Sequence, residues 1–424
     1  MKIIKRLLFS VLFLCGTAFS QPKLPMFTTP LLSDINIIPN DSVNVVYYSY
    51  RVPTRSFVFF KDGNIYTADF RITVEVRDSS STFFTRRIDE KIIKVDNFDE
   101  TVSGNSSEEG LFVFHLKNGK YIFTPILTDL NSNRDFRLHP IKVECEKSRE
   151  SNFFNPVVID QEENNDREVY RLTNYAGDIP FSEDSYNLII PARDTVVRKI
   201  QVVFIGNGDT VDVNDVSDSF VSGLTFKSEK GNIFVETNKN AKPTRNFIVR
   251  NFSKKLLEGR IKIIVTAEDT GKIRKVFMSK VVWFDKPFSL LDPEKAIRFL
   301  SVVESSRLVD SLLSGDSKDY EHNLFNYWKR LDPTKNSAFN PLMEEYYKRV
   351  DYALRHFYPL ARKREELTDR SKVYIKFGKP AEILRSYNQY GKSVETWIYK
   401  KPSAVFNFLD PDGTGNFILV QKDE

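Results

Sequence analysis

The sequence predicts a mainly β protein with a helical insert: two tandem antiparallel β-sandwich domains followed by a C-terminal α+β domain of helices and a small antiparallel sheet. Three observations carry that expectation. Aromatic residues make up 13% of the 424 residues, with 35 Phe and 18 Tyr, and such side chains favour pleated, half-buried surfaces. Strand-like runs punctuated by Gly/Asn turns recur from residue 35 to residue 284 with no helical period between them. At Pro287 the pattern changes abruptly to apolar residues at helical spacing.

In the first series, Val43–Val52 (VNVVYYSYRV) is β-branched and aromatic. Ile65–Asp78 alternates, so Phe70, Ile72, Val74 and Val76 share one face. Gly110–Leu127 reads as a hairpin, because Asn118-Gly119 offers the positive φ angles of a type I′ turn. The charged stretch Cys145–Pro156 loses the alternation and marks a boundary, which gives a first domain over 21–148. The second domain, 149–286, holds runs such as YNLIIPA, VVRKIQVVFIG and GRIKIIVTAED. Its turns fall at Gly206-Asn207-Gly208, Lys230-Gly231-Asn232 and Asp269-Thr270-Gly271.

The third domain spans 287–424. Asp292-Pro293 combines a helix N-cap with proline at the first helical position. Ala296, Phe299, Leu300 and Val303 follow at helical spacing, as do Leu324, Phe325, Trp328 and Leu331. Asn340-Pro341 opens the strongest helix, with Met343, Tyr346, Tyr347, Val350, Leu354 and Phe357 as one apolar stripe for the core. Strands then return at Ser371–Phe377, Ser393–Lys401, Ala404–Asp410 and Gly415–Lys422, with Asp412-Gly413 joining the last two.

The N-terminus reads as a secretory signal over residues 1–20. Lys2, Lys5 and Arg6 precede the short apolar run Leu7–Leu14, and Ala18-Phe19-Ser20 supplies small residues for cleavage. The run is shorter than the ~20 residues a spanning helix needs, and no later run is apolar enough to cross a bilayer. The expected location is the periplasm, the outer-membrane surface or the extracellular space. Cys15 follows Leu14 where lipoprotein processing prefers a small residue, which argues against lipidation. With the leader gone, Cys145 stands alone, so no intramolecular disulfide forms and a buried, strand-end position is expected for it. Of the formal charge of +5, three positive charges leave with the leader, and the remaining +2 is evenly mixed. Nucleic acid as a partner is thereby disfavoured, since it needs a concentrated basic face.

The motifs of chemistry mostly fail. Gly391-Lys392-Ser393 ends like a phosphate loop but has Ser386 where the first glycine belongs, and a strand follows it. Gly378-Lys379-Pro380 lacks an amide donor at the proline. Asp410–Gly415 (DPDGTG) resembles the start of a calcium loop, yet Gln421 occupies the position of the bidentate glutamate, so a hairpin turn is expected. His115, His139, His322 and His356 form no metal-binding pair. No catalytic residue, metal ligand or cofactor is therefore assigned. The acid of most interest is Asp369, between Thr368 and Arg370, and these three are the candidate binding residues. The plainer role for Asp369 is an Asx-type turn or an Asp–Arg pair.

One resemblance emerges from the ordered pieces YWKRLDPTKNSAFNPLMEEYYKRVDYALRHF, LTDRSKVYIKFGKPAEI, ETWIY and FNFLDPDGTGNFILV. Together, from Leu324 to Val420, they resemble the GWxTD domain of exported bacterial proteins. In that family an aromatic-rich helix leads to the naming motif, then to a Tyr/Phe-Gly-x-Pro run and a Trp-containing strand. Here Glu365 and Glu366 replace the Gly and Trp of the motif, while Thr368, Asp369, Tyr374, Gly378, Pro380 and Trp397 persist. The resemblance implies that Tyr374, Gly378, Pro380 and Trp397 hold the fold, and it implies export, but no activity comes with it. The leading expectation is an exported, non-enzymatic interaction or structural protein whose partners are other envelope proteins or glycans. The alternatives are a carbohydrate-binding protein and a hydrolase using carboxylates around Asp369 and Glu382.

Overall fold

The computed structural model describes residues 30–38, 43–102, 106–145, 152–160, 169–173, 176–267, 273–357 and 367–423. The expected leader with Cys15, the turn at Asp269-Thr270-Gly271 and the Glu365-Glu366 pair lie outside the described residues. Strand accounts for 50% of the described residues and helix for 20%, which makes the described structure mainly β.

The first elements are β1 (Leu32–Ile38), β2 (Asn44–Pro53), β3 (Phe60–Asp62), β4 (Ile65–Asp78) and β5 (Phe83–Val95). After the short helix α1 (Phe98–Thr101) come β6 (Ser107–Leu116), β7 (Gly119–Asp129), β8 (Arg134–Arg137) and β9 (Ile141–Cys145). One antiparallel sheet runs β1-β2-β6. In the other, β4 pairs with β5, β7 and β3, while β8 and β9 pair with β7. The two sheets face each other across a core that includes Val46, Tyr48, Phe70, Ile72, Val74 and Phe123. The alternation read from Ile65–Asp78 is realised: Phe70, Ile72, Val74 and Val76 are fully buried. Cys145 ends β9 inside this core, and burial pushes its thiol up to about 11.

The expected hairpin at Gly110–Leu127 does not form. β6 pairs with β2 and β7 pairs with β4, so the Asn118-Gly119 link crosses from one sheet to the other. The reason is local as well as global. A type I′ turn needs positive φ at both central residues, and only Gly119 has it (φ 155°).

Gly110 itself lies opposite Tyr50 on the β2–β6 ladder. A Cβ added there would come within 2.1 Å of the Tyr50 ring, which is fully buried and donates to Asp89 at 2.5 Å. Gly110→Ala is expected to destabilise by ~1–3 kcal/mol through overpacking, read as a drop in the urea midpoint of the far-UV CD signal. The same change in a Tyr50→Ala background is expected to cost much less, because the space is then open.

The next elements are β10 (Val157–Ile159), β11 (Val169–Arg171), β12 (Ile179–Pro180), β13 (Asn187–Ala192), β14 (Ile200–Gly206) and β15 (Asp209–Val216). They continue with β16 (Ser219–Glu229), β17 (Asn232–Asn238), β18 (Thr244–Val249), β19 (Gly259–Ala267) and β20 (Arg274–Val282). A six-stranded sheet runs β10-β13-β18-β16-β17-β11, and a five-stranded sheet runs β12-β20-β19-β14-β15. Their shared core includes Leu188, Ile190, Val202, Phe204, Phe247 and Ile263.

The two sheet pairs also share an interior with each other. The outer face of the six-stranded sheet packs Ile189, Leu224, Phe226, Ile233 and Val235 against Tyr47, Val45, Leu111 and Val113 of the β1-β2-β6 sheet. Tyr47 packs with its ring tilted 33° and centred 4.8 Å from that of Phe226, and its hydroxyl lies 3.0 Å from Thr225 Oγ1. The result is four sheets in sequence with three apolar layers between them. β13 and β18 are buried at every position because both their faces are covered.

A carboxylate pair lies beside this stack. Asp34 of β1 is within 3.1 Å of where a Gly177 Cβ would stand, next to Asp178. Burial raises both carboxyls, and the charge of Asp34 adds to the rise at Asp178, which reaches about 6 although Lys280 opposes it. The folded state therefore holds the Asp178 proton to higher pH than the unfolded chain does. Its contribution to stability is full below about pH 4 and is lost as pH rises through about 6. Asp178→Asn is expected to remove about 1–2 kcal/mol of that pH dependence, after allowance for solvent screening. Denaturation midpoints of both proteins across pH 4.5–7.5 check it, and parallel curves would refute it.

The C-terminal part carries α2 (Pro293–Phe299), α3 (Ser306–Leu312), α4 (Tyr320–Leu331), α5 (Pro341–His356) and α6 (Asp369–Phe377). The small sheet β21 (Glu382–Tyr387), β22 (Ser393–Lys400), β23 (Ser403–Asp410), β24 (Ile418–Asp423) follows, antiparallel and in chain order. Asp292 and Asn340 cap α2 and α5 with proline at the first turn, as the sequence predicts. The α5 stripe packs as expected: Tyr346 and Tyr347 donate to the Phe299 and Ala296 carbonyls at 2.7 and 2.9 Å. On α4 the buried face is Leu324, Tyr327 and Trp328, whereas Phe325 and Leu331 are exposed. Phe181, Trp283 and Phe339 cluster edge to face and join this part to the sheets before it.

Candidate functional site

The segment expected to be a strand, Ser371–Phe377, is the helix α6. Its β-branched residues suggested a strand, but capping and packing decide otherwise. Thr368 is the N-cap, and its Oγ1 accepts from the Ser371 amide at 3.1 Å. The same hydroxyl reaches the Phe357 carbonyl at 3.2 Å and Ser371 Oγ at 2.9 Å, and both Thr368 and Ser371 are 2% exposed. Val373, Tyr374 and Ile375 then turn into the core.

Asp369 consequently sits in the first helical turn, neither in an Asx turn nor paired with Arg370. One carboxylate oxygen accepts from the Leu419 amide at 3.1 Å and clamps α6 to β24. The other meets Lys372 Nζ at 3.4 Å. A negative charge in this position also suits the positive end of the helix.

Arg370 turns inward. Nη1 donates to Glu395 Oε2 at 3.2 Å and Nη2 to the Gly415 carbonyl at 3.0 Å. The guanidinium lies 4.0 Å from the Phe417 ring centroid. Burial pulls it below its ordinary range while the Glu395 carboxylate acts in the opposite sense. Its Nε has no acceptor among the described residues. Glu395 is a junction: it also accepts from Arg385 Nε at 3.1 Å and from Trp397 Nε1 at 3.2 Å. Asp410, buried beside it in the sheet, accepts the Thr414 and Gly415 amides of its own loop. DPDGTG is thus a self-bonded hairpin connection between β23 and β24, as expected.

The other motif residues serve packing. Gly378 ends α6 at φ 77°, ψ −155°, a conformation essentially confined to glycine, and a Cβ there would meet the Arg349 guanidinium at 3.1 Å. Its carbonyl accepts from Tyr399 Oη at 2.9 Å. Tyr374 stacks 4.5 Å from Tyr352, Pro380 is buried, and Trp397 is fully buried between Phe357 and Phe408. Glu382, the second acid considered for hydrolysis, is exposed on β21, while Asp369 is engaged by Leu419 and Lys372. Glu395 and Asp410 are the acids that sequence reasoning did not single out. For Glu395 a signal existed, since it alternates in phase with Trp397 and Tyr399. Among the described residues no group of three or more His, Cys, Asp or Glu could hold a metal ion.

The fold and this site together define a multi-sheet β protein whose C-terminal helices and small sheet form a separately cored unit. Residues 276–422, the C-terminal region of the chain, match the family model of the GWxTD domain. The match begins earlier than the motif pieces suggested and takes in the last strand of the five-stranded sheet. No curated protein matches the chain. Among solved structures, the C-terminal domain of the Streptococcus pyogenes antigen I/II-family protein AspA aligns with 59% of this chain and 100% of its own at 6% identity. The TM-score is 0.16, a likeness too slight to bear on fold or function.

Proposed function

We propose that this chain is an exported, non-enzymatic interaction or structural protein of the bacterial cell envelope or extracellular space. The observation that carries the reading is the fate of the motif residues. Thr368 caps a helix, Asp369 clamps that helix to β24, and Arg370 closes an ion pair with Glu395. Each of these three side chains is engaged in holding the domain together. The leader-like N-terminus supports export, and no helix among the described residues is long and apolar enough to cross a membrane. Envelope proteins or glycans are the expected partners. The test is cell fractionation with protease accessibility, together with incubation of the purified chain with glycan and peptide libraries. Recovery in the envelope or medium without turnover is expected. Turnover of a glycan or peptide by the purified chain would overturn the non-enzymatic reading, and cytoplasmic recovery would overturn export.

One observation favours a second reading, carbohydrate binding. Tyr387 and Tyr390, at the β21–β22 turn, are each 77% exposed and offer ring faces for sugar stacking. Glycan-array binding lost in Tyr387→Ala/Tyr390→Ala supports it, and binding unchanged by that pair removes it.

A further inference from the structure

β5 is a long strand of 13 residues, and among the described residues it pairs on one side only, with β4. An open edge of this length is a template for another strand, and proteins commonly blunt such edges with charge. β5 is charged, but the signs are ordered. Its centre reads Phe83-Phe84-Thr85-Arg86-Arg87-Ile88-Asp89-Glu90-Lys91-Ile92-Ile93. About Ile88, two basic residues on one side mirror two acidic residues on the other, and each flank ends in two apolar residues.

We propose that two copies of this chain associate through their β5 edges, antiparallel, with Ile88 on the two-fold axis. In an antiparallel pair, directly opposed residues point to the same face, so a two-fold pairing sets one residue against itself. With Ile88 at that point, Arg86 of each copy opposes Glu90 of the other, and Arg87 opposes Asp89. Phe84 and Ile92, 51% and 61% exposed, fall opposite each other at the ends. The neighbouring registers lose this match. Centring on Asp89 sets Arg87 against Lys91, centring on Glu90 sets Arg86 against Lys94, and centring on Arg87 sets Arg86 against Ile88. Opposite charges directly across a ladder stabilise it and like charges oppose it, so the pattern selects one register of self-pairing.

The geometry of the exposed face agrees. The regular ladder with β4 sets Arg86, Ile88, Glu90 and Ile92 opposite Glu75, Thr73, Arg71 and Asp69, on the face away from the core. Ile88 is 48% exposed there. Glu90 already meets Arg71 Nε at 2.5 Å, and Arg86 has no ion pair among the described residues. The association would give Arg86 its carboxylate and place Glu90 between two guanidinium groups. The commitment to a second copy rests on this charge complementarity, and it stands independently of the function proposed above.

The test is sedimentation equilibrium of the purified chain and of Arg86→Glu and Glu90→Arg, with far-UV CD to show that each exposed-site variant folds. Wild type is expected to dimerise, and each single swap is expected to weaken the dimer about tenfold or more, because two symmetric pairs turn repulsive. Mixing the two variants restores association, since every 86–90 pair in the mixed dimer is then Glu with Arg. In a separate readout, Ile88→Cys is expected to form a disulfide with its own copy on mild oxidation. A wild type that stays monomeric at high micromolar concentration overturns the proposal. So does a dimer indifferent to the single swaps, or a mixture no more associated than its parts.

Discussion

Trp397→Ala is expected to lower the stability of the C-terminal core by ~3–5 kcal/mol, the usual cost of emptying a fully buried aromatic site. Trp397 is on β22, an inner strand of the small sheet, with Phe408 5.0 Å and Phe357 5.1 Å from its ring. Its Nε1–H is satisfied by Glu395, so the substitution opens a cavity and frees an acceptor together. The measurement is unusually selective. The chain's three tryptophans, Trp283, Trp328 and Trp397, all belong to one core cluster. Intrinsic fluorescence therefore follows the unfolding of this region alone, and the variant keeps two reporters. A stability within about 0.5 kcal/mol of wild type would refute the packing account, because that is the range of a surface substitution.

Glu395→Leu is the second large effect, also about 3–5 kcal/mol, because it strands a buried guanidinium. The side chains of Arg370 and Glu395 are 12% and 10% exposed. Without Glu395, Arg370 keeps the Gly415 carbonyl, the Phe357 and Phe417 rings and the charge of Asp410, but no ion pair of its own. The double variant Arg370→Met/Glu395→Leu is expected to recover most of the loss, since exchanging both members of a buried pair for apolar groups is often near neutral. Stability of the two single variants and the double variant, followed by the same fluorescence, gives the coupling directly. No recovery in the double variant would mean that the pair fixes a geometry apolar packing cannot replace. Trp397 shares the Glu395 carboxylate, so its variant and Glu395→Leu are not expected to add.

How far the sequence could be read depended on whether a local signal agreed with its tertiary setting. Ile65–Asp78 was legible because one face of β4 meets a core, and burial then follows the two-residue period. Asp292-Pro293 and Asn340-Pro341 were legible because capping is local chemistry. Asn118-Gly119 misled because the partner strands lie in different sheets, a fact no turn residue records. Ser371–Phe377 misled because Val373, Ile375 and Phe377 also fit a two-residue period, while the decisive information was one hydroxyl, the Thr368 cap. At the candidate site, Thr368, Asp369 and Arg370 are neighbours in sequence that make different contacts: a helix cap, a clamp to β24 and an inward ion pair. The roles of Asp369 and Arg370 depend on Leu419, Glu395 and Gly415, which are 25 to 50 residues away in sequence.

The layer that Tyr47 and Leu111 share with Leu224, Phe226 and Val235 changes what a unit of this chain is. Each sheet pair has its own interior, yet each also owns half of a third one. A cut through the backbone between Cys145 and Phe153 would leave two pieces with matching greasy walls. They would stay docked through those walls, or precipitate if made apart. Neither sheet pair is a portable module: shuffled into another protein, it would arrive with one side of its interior missing.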